Sequence, residues 1–400
     1  MFRHLLKLIW KRKGRNLMLS LEIMLAFVLV FGIAAFGARS WQLYGLPLGF
    51  QYTDVWSVEI HSSRDAPLKN DAQMYDQLTR TLRGMPEVEE VAFTSYAPYT
   101  MSSSTNDFER PDGSGRINTG MLEVSDNFFN VSGMTLLSGS WFSSADDGLA
   151  ATPVVINSSL AEALFPGQPA VGKQFSNSPK GDKAPHMLRV SAVIEDYRKR
   201  GEFMAPDHFM LLRFVPGGAG TGPRGILLKL KPGTPRSFEA PLQRQLKAVQ
   251  SEWSYTISPL PELRRSMHKI DMVPLIVLSV IAGFLLLMVA FGLFGVLWQN
   301  TTRRIPEIGL RRAIGASAGD IYRQIIGEQL MLSSVAMAAG LLLLVQLPLT
   351  GALGASLDWR VFFAAAGLSI MLIYLLSLLC SVYPGWRASR LSPTEALHYE

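Results

Sequence analysis

The sequence predicts a membrane α-helical bundle of four transmembrane helices joined to an extracytoplasmic α+β domain of two lobes. Three observations lead there. Leu17–Ala38, Val273–Leu297, Leu330–Leu347 and Val361–Tyr383 are apolar and long enough to cross a bilayer, which takes about 20 residues. Between the first and second of these lies a long segment with the alternating and helical patterns of a water-exposed domain. Lys and Arg gather at one set of span ends.

Residues 1–16 read as a cytoplasmic amphipathic arm. Phe2, Leu5, Leu6, Ile9 and Trp10 keep the helical period with Arg3, Lys7 and Lys11 opposite, the pattern of a helix in the membrane interface. Residues 17–39 form the first span and the start of a stalk. A cleaved leader is the alternative, but its apolar core usually runs about 7–15 residues and this one is longer. Glu22 is expected to reach back toward the basic arm rather than make a polar contact within the helix bundle, the alternative.

The external domain, 40–271, begins and ends on similar units. One is strand Val55–Ile60, helix Leu68–Arg83 and strand Val88–Ser95; the other is strand Gly225–Leu230, helix Ser237–Val249 and strand Tyr255–Ser258. Two β-α-β units bracketing an insertion predict one lobe from 52–108 and 225–260, with an inserted lobe, 109–224, of short strands and turns. Phe128, Phe129, Trp141 and Phe142 are expected in its core rather than on a binding surface. Glu262–Ile270 is a helix feeding the second span, and Ala38–Leu43 extends the first.

The second span (272–298) leads to an elbow (299–328), the third span (329–347), a short loop (348–360), the fourth span (361–384) and a tail (385–400). Within the elbow, Pro306 suits a first helical turn and Gly315 the residue past the end. Ser317 and Asp320 have capping-box spacing for the next helix. A helix cannot break inside hydrocarbon without stranding polar backbone, so this bend belongs at or beyond the interface. Arg303, Arg304, Arg311, Arg312 and Arg323 put it in the cytoplasm with both termini, whereas the 348–360 loop has only Arg360 balanced by Asp358. Trp41 and Trp359 mark one interface, Trp298 and Trp386 the other.

Segment 40–272 holds 23 basic against 25 acidic residues, so the chain's net charge of +6 comes from the membrane-proximal remainder. That excess is the signature of topology and excludes a nucleic-acid reading. The single cysteine, Cys380, excludes disulfides and thiolate metal sites from the external domain. Gly167–Gln174 approaches a phosphate loop, but Gln174 replaces the magnesium-holding hydroxyl and Pro169 removes an amide. No zinc-protease helix or serine-hydrolase elbow occurs, and neighbouring acids such as Glu89-Glu90, Asp146-Asp147 and Glu195-Asp196 point opposite ways on a strand. No catalytic residue, metal ligand or cofactor site is expected on this chain. Arg198-Lys199-Arg200 is expected to be a solvated turn. The elbow helix instead offers a partner both apolar anchors (Ile308, Leu310, Ile314) and charges.

Arg304–Ser317 resembles the R-x-x-E-I-G-x-x-R-A-x-G-A stretch of FtsX-like permeases, and Tyr383–Glu400 is similar to their C-terminus. Val124–Phe129, Leu137–Phe142, Val154–Asn157, Leu164–Gly167, Val171–Lys173 and Val193–Asp196 resemble the MacB-type periplasmic core. The resemblance implies a type VII ABC transporter permease of the bacterial inner membrane, with a porter-like lobe and an inserted lobe outside. It implies mechanotransmission: a separate cytoplasmic ATPase dimer, which carries the ATP and magnesium, drives periplasmic movements that export or extract a substrate. Activation of a periplasmic cell-wall hydrolase is the alternative, and a membrane enzyme a distant third. Implied partners are a second permease, identical or paralogous, membrane lipids, and in some systems an adaptor and outer-membrane duct. The implied ATPase-coupling residues are Glu307, Ile308, Gly309, Leu310, Arg311, Arg312 and Gly315.

Overall fold

A computed structural model describes residues 13–64, 66–146, 148, 151–176, 186–218 and 222–390, with backbone alone for Lys13–Asn16, Ala355 and Ser356. The side chains of the amphipathic arm and residues 391–400 of the tail lie outside this set. The chain forms two compact units, Leu43–Asp271 and the segments on either side of it.

Helix α1 (Lys13–Tyr44) carries the first span. It is followed by β1 (Val55–His61), α2 (Ala72–Arg83) and β2 (Val88–Thr94). The helix starts four residues later than expected. Asp71 caps it by accepting from the Gln73 amide at 3.0 Å, and Asn70 is held in a loop by the Val215 and Gly218 carbonyls. The hairpin β3 (Ser104–Glu109) and β4 (Arg116–Val124) precedes α3 (Phe128–Ser132) and β5 (Leu136–Gly139). Then come β6 (Thr152–Asn157), α4 (Ser158–Leu164), β7 (Gln174–Ser176), β8 (Met187–Ile194) and β9 (Phe209–Arg213). The domain closes with β10 (Gly225–Leu230), α5 (Glu239–Val249) and β11 (Ser254–Pro259).

The eleven strands among the described residues join one sheet in the order β11-β1-β10-β2-β4-β9-β6-β8-β5, with β3 on β4 and β7 on β8. In the first half β1 lies between β10 and β11, and β10 between β1 and β2, all antiparallel. Each β-α-β unit therefore skips one strand, and the two interleave as a split β-α-β pair drawn from both ends of the segment. Tyr75, Leu78, Leu82, Leu242, Leu246 and Trp253 build that half's core. The other half mixes parallel pairs (β4 with β9, β6 with β8) with antiparallel ones, over a core around Val154, Ile156, Leu160 and Met210. The expected lobe boundary at 108 shifts, because β3 pairs along its length with β4 and belongs to the inserted half.

A third core lies where the halves meet. It contains Phe128 and Phe142, fully buried as expected, with Phe129 and Trp141 packed against it. The near-miss phosphate loop is a plain turn in which Lys173 sits 4.9 Å over the Phe165 ring.

Among the described residues, the other unit holds four helices long and apolar enough to cross a membrane. After α1 they are α6 (Leu260–Thr302), which runs without a break from the domain's last strand through the second span, α8 (Ala318–Leu344) and α10 (Trp359–Arg390); the short α7 (Ile305–Ala313) lies between α6 and α8, and the short α9 (Gln346–Thr350) follows α8. Small residues let these helices approach closely. A methyl added at Gly340 of α8 would lie 2.7 Å from Phe27 Cδ1 of α1. Ser333 bonds Ser377 at 2.8 Å and Ser334 bonds the Tyr374 hydroxyl at 2.7 Å, so the α8–α10 seam is stitched by hydroxyls. Cys380 is a buried packing residue whose thiol donates to the Ala290 carbonyl at 3.5 Å. Glu22 does not behave as a residue reaching for the arm alone. Its carboxylate sits against α6, where a Cβ on Gly292 would lie 2.5 Å from Glu22 Oε1.

Candidate functional site

The elbow between the second and third spans is built from α7 and its two flanking turns. Pro306 stands in the first turn of α7, where its missing N–H costs nothing. The helix stops at Ile314, and Gly315 takes φ +106°, a left-handed conformation that a side chain would strain. Ser317 then caps α8: its hydroxyl accepts from the Asp320 amide at 3.2 Å while Asp320 accepts from the Ser317 amide at 3.1 Å, the reciprocal capping box. Two helix ends are thus closed within four residues, which fixes the bend.

The charged residues of α7 are largely engaged inside this unit. Arg304 donates to Glu328 of α8 at 2.6 Å, with both side chains mostly covered. Arg311 bridges Glu307 (2.7 Å) and Gln324 of α8 (2.6 Å). Arg312 donates to the Ser389 carbonyl near the end of α10 at 2.5 Å, satisfying an acceptor that the helix leaves open. Ile308 is buried with Ile321 and Ala388, and Gly309 is buried too. So of the seven residues singled out from sequence, Ile308 and Gly309 face inward rather than outward, and Arg311 and Arg312 brace the bend. Glu307, Leu310 and Gly315 are the ones left uncovered, Leu310 at 56%, and Ile314, outside those seven, is 78% exposed beside them. Pro306, Leu310, Ala313 and Ile314 recur at three- and four-residue spacing and form one exposed apolar stripe.

Sequence reasoning missed a second cluster, in the external domain. Arg198 is not solvated; it is 1% exposed, and its five donors are used on backbone carbonyls. Nε donates to Met204 (2.8 Å), Nη1 to Leu46 (2.8 Å) and Pro47 (3.4 Å), and Nη2 to Leu43 (2.8 Å) and Glu202. Lys199 is buried over the Tyr96 and Phe209 rings, and burial pushes its ammonium down from the ordinary lysine value. Glu202, 5% exposed, takes Arg264 Nε at 2.5 Å and His268 Nε2 at 2.6 Å. Burial pushes its carboxyl up, but the hydrogen bonds from His268 and Arg264 outweigh that and hold it below the ordinary glutamate value. The loop 198–204 thereby grips both the chain leaving α1 and the first turns of α6. No local signal announces such a role, since a run of three basic residues reads as surface. Among the described residues no group of three or more His, Cys, Asp or Glu could hold a metal ion.

The MacB-like periplasmic core domain family matches residues 18–244, and the FtsX-like permease C-terminal family matches residues 279–393. The chain belongs to the MacB and FtsX-like permeases. It is 23% identical over 404 residues to the macrolide export ATP-binding/permease protein MacB of Agrobacterium fabrum, covering 97% of this chain and 59% of that protein. With MacB of Escherichia coli K12 it shares 26% identity over 292 residues, 69% of this chain and 43% of that one. The chain thus spans about half the length of the curated relatives it matches. The periplasmic region of MacB from Actinobacillus actinomycetemcomitans is similar at 15% identity and a TM-score of 0.40, over 57% of this chain and 98% of that one. This is a family of ABC transporter permeases. Four apolar helices with a periplasmic core domain fit a protein of the inner membrane.

Proposed function

We propose that this permease is the transmembrane subunit of an ABC exporter that works by mechanotransmission. A separate cytoplasmic ATPase dimer, which binds the ATP and magnesium, docks on the elbow, and its closure moves α6 and α8 together. The observation that carries this reading is the stripe Pro306, Leu310, Ala313, Ile314. An exposed apolar face on a helix whose polar groups are tied down has the character of an anchor for a groove in a partner. The capped bend supports force transfer, because a rigid elbow moves as a piece. The second span supports a second permease: Ile276, Val280, Phe284, Leu287 and Phe291 of α6 are exposed, an apolar face open to a like helix.

Work on the substrate then falls to the outer domain, in the periplasm or at the outer leaflet. With both termini and the elbow inside the cell, the positive-inside rule and the neutral charge balance of the outer domain agree. The membrane spans offer serines and a glutamate packed between helices, which suit helix packing better than a hydrophilic path.

The test is a photo-crosslinking residue placed at Leu310, Ile314 or Ile308 in the native host. Positions 310 and 314 are expected to capture a protein that mass spectrometry identifies as an ABC ATPase, and position 308 to capture none. Labelling of a cysteine at 314 by a membrane-impermeant reagent in intact cells would refute the topology. Substrate-stimulated ATP hydrolysis by the reconstituted complex marks a pump; stimulation of a cell-wall hydrolase with no cargo moved would replace the exporter reading with the signalling one.

A further inference from the structure

The ends of α6 and α10 nearest the elbow carry a feature that docking and packing do not use. Trp298 and Tyr383 stack with centroids 5.8 Å apart and an interplanar angle of 10°. Phe294 extends the stack on one side and Trp386 on the other, at 6.2 and 6.3 Å from Tyr383. The Arg387 guanidinium lies 4.5 Å over the Trp298 ring and that of Arg390 4.5 Å over Trp386. Phe294, Tyr383 and Trp386 are exposed, as are Arg387 and Arg390.

Three properties of this strip point to a ligand. Each arginine lies over an aromatic face, 4.5 Å from the ring centroid, and the guanidinium is the group whose fork of N–H donors suits a phosphate. Neither makes an ion pair with a carboxylate among the described residues, and no Asp or Glu occurs in 273–302 or 361–390, the stretches that form the strip. Finally, the exposed surface runs on along α10 through Leu379 and Val382, which are apolar. A cationic, carboxylate-free patch at headgroup level above an acyl-compatible face matches an anionic lipid better than a protein, which would cover the apolar tract as well.

We propose that Arg387 and Arg390, on the platform of Trp298, Tyr383 and Trp386, form a binding site for the phosphate headgroup of an anionic phospholipid. The proposal rests on α6 and α10 being membrane spans.

The experiment is native mass spectrometry of the full chain in detergent with equal amounts of phosphatidylglycerol and phosphatidylcholine. The parent protein is expected to retain phosphatidylglycerol preferentially. In R387Q/R390Q that preference is expected to fall about thirtyfold, the size that follows from removing two lipid-facing cations. R360Q, which removes a cation at the far end of α10, is expected to keep it. R387K/R390K keeps charge but loses the stacked fork, and an intermediate preference is expected. No preference in the parent, or a preference unchanged in R387Q/R390Q, overturns the site; a preference unchanged in the lysine pair overturns the role of the fork. Resistance of all variants to alkaline carbonate extraction from phosphatidylcholine vesicles reports separately on whether the helices are inserted, so a failure of that reading is distinguishable.

Discussion

Arg198→Ala removes a buried cation whose five donors all serve backbone carbonyls. Each acceptor left unmade in a buried place costs roughly 1–3 kcal/mol, and bonds to a charged donor lie toward the top of that range. Truncation opens a void that water can enter, which rehydrates some of the five, and such costs do not add. The net expectation is about 4 kcal/mol, nearer a broken buried pair than a surface change. The loss should be local to begin with. Backbone amides that report it are Arg198 (to Leu48, 3.0 Å), Gly201 (to Arg198, 2.8 Å) and Tyr99 (to Lys199, 2.7 Å). Hydrogen exchange of the full chain should show those amides opening roughly 1,000-fold more often. Arg198→Lys keeps the charge with a compact three-donor head and is expected to fall between. If R198A leaves these amides within threefold of the parent, the five-carbonyl grip is not what holds this region.

Gly340→Ala should lose about 1–3 kcal/mol, because the added methyl meets the buried Phe27 ring, whereas Gly327→Ala meets nothing within 4 Å; thermal unfolding in detergent compares them, and equal stability refutes the close approach. Glu202 contributes stability that is present above the ordinary glutamate value, near pH 4.3, and is lost as pH falls through its lower folded value, since the unfolded chain takes up the proton first. Glu202→Gln should flatten that dependence, read as unfolding midpoints by tryptophan fluorescence between pH 3 and 6; an unchanged slope refutes it. Leu310→Asp with Ile314→Asp should cut ATPase recovery with the purified complex by tenfold or more, in the range of lost interface anchors, with no change in unfolding temperature. Recovery equal to the parent's removes the stripe from the docking surface.

Much of the fold is legible in the chain because its signals are local. Trp56, Val58 and Ile60 are buried in β1 as their alternation requires, and Tyr75, Leu78 and Leu82 line one face of α2. The capping box at Ser317 forms as its spacing says. What was not legible depends on partners far away in sequence. β3 carries no mark of its lobe; only its register with β4, Phe108 opposite Ile117, assigns it. Within α7, Ile308 and Leu310 are two residues apart and so point to nearly opposite sides, but apolarity alone does not choose which one packs inward. Contact with Ile321 and Ala388 decides it. Whether Arg198 meets water or carbonyls depends on residues more than 150 positions earlier. Pro348 ends the regular run of α8 nearly where expected, yet the short α9 carries the proline in its interior.

The long sheet has a seam. β2 and β4 share one register pair, Thr94 with Val124, flanked by the Ser95-to-Glu123 and Ser125-to-Phe93 backbone bonds at 3.0 Å. Every other junction along the path is at least three rungs long, so under load the ladder would part here first. A sheet that is stiff on either side of one narrow joint can bend like a folded card without breaking its leaves.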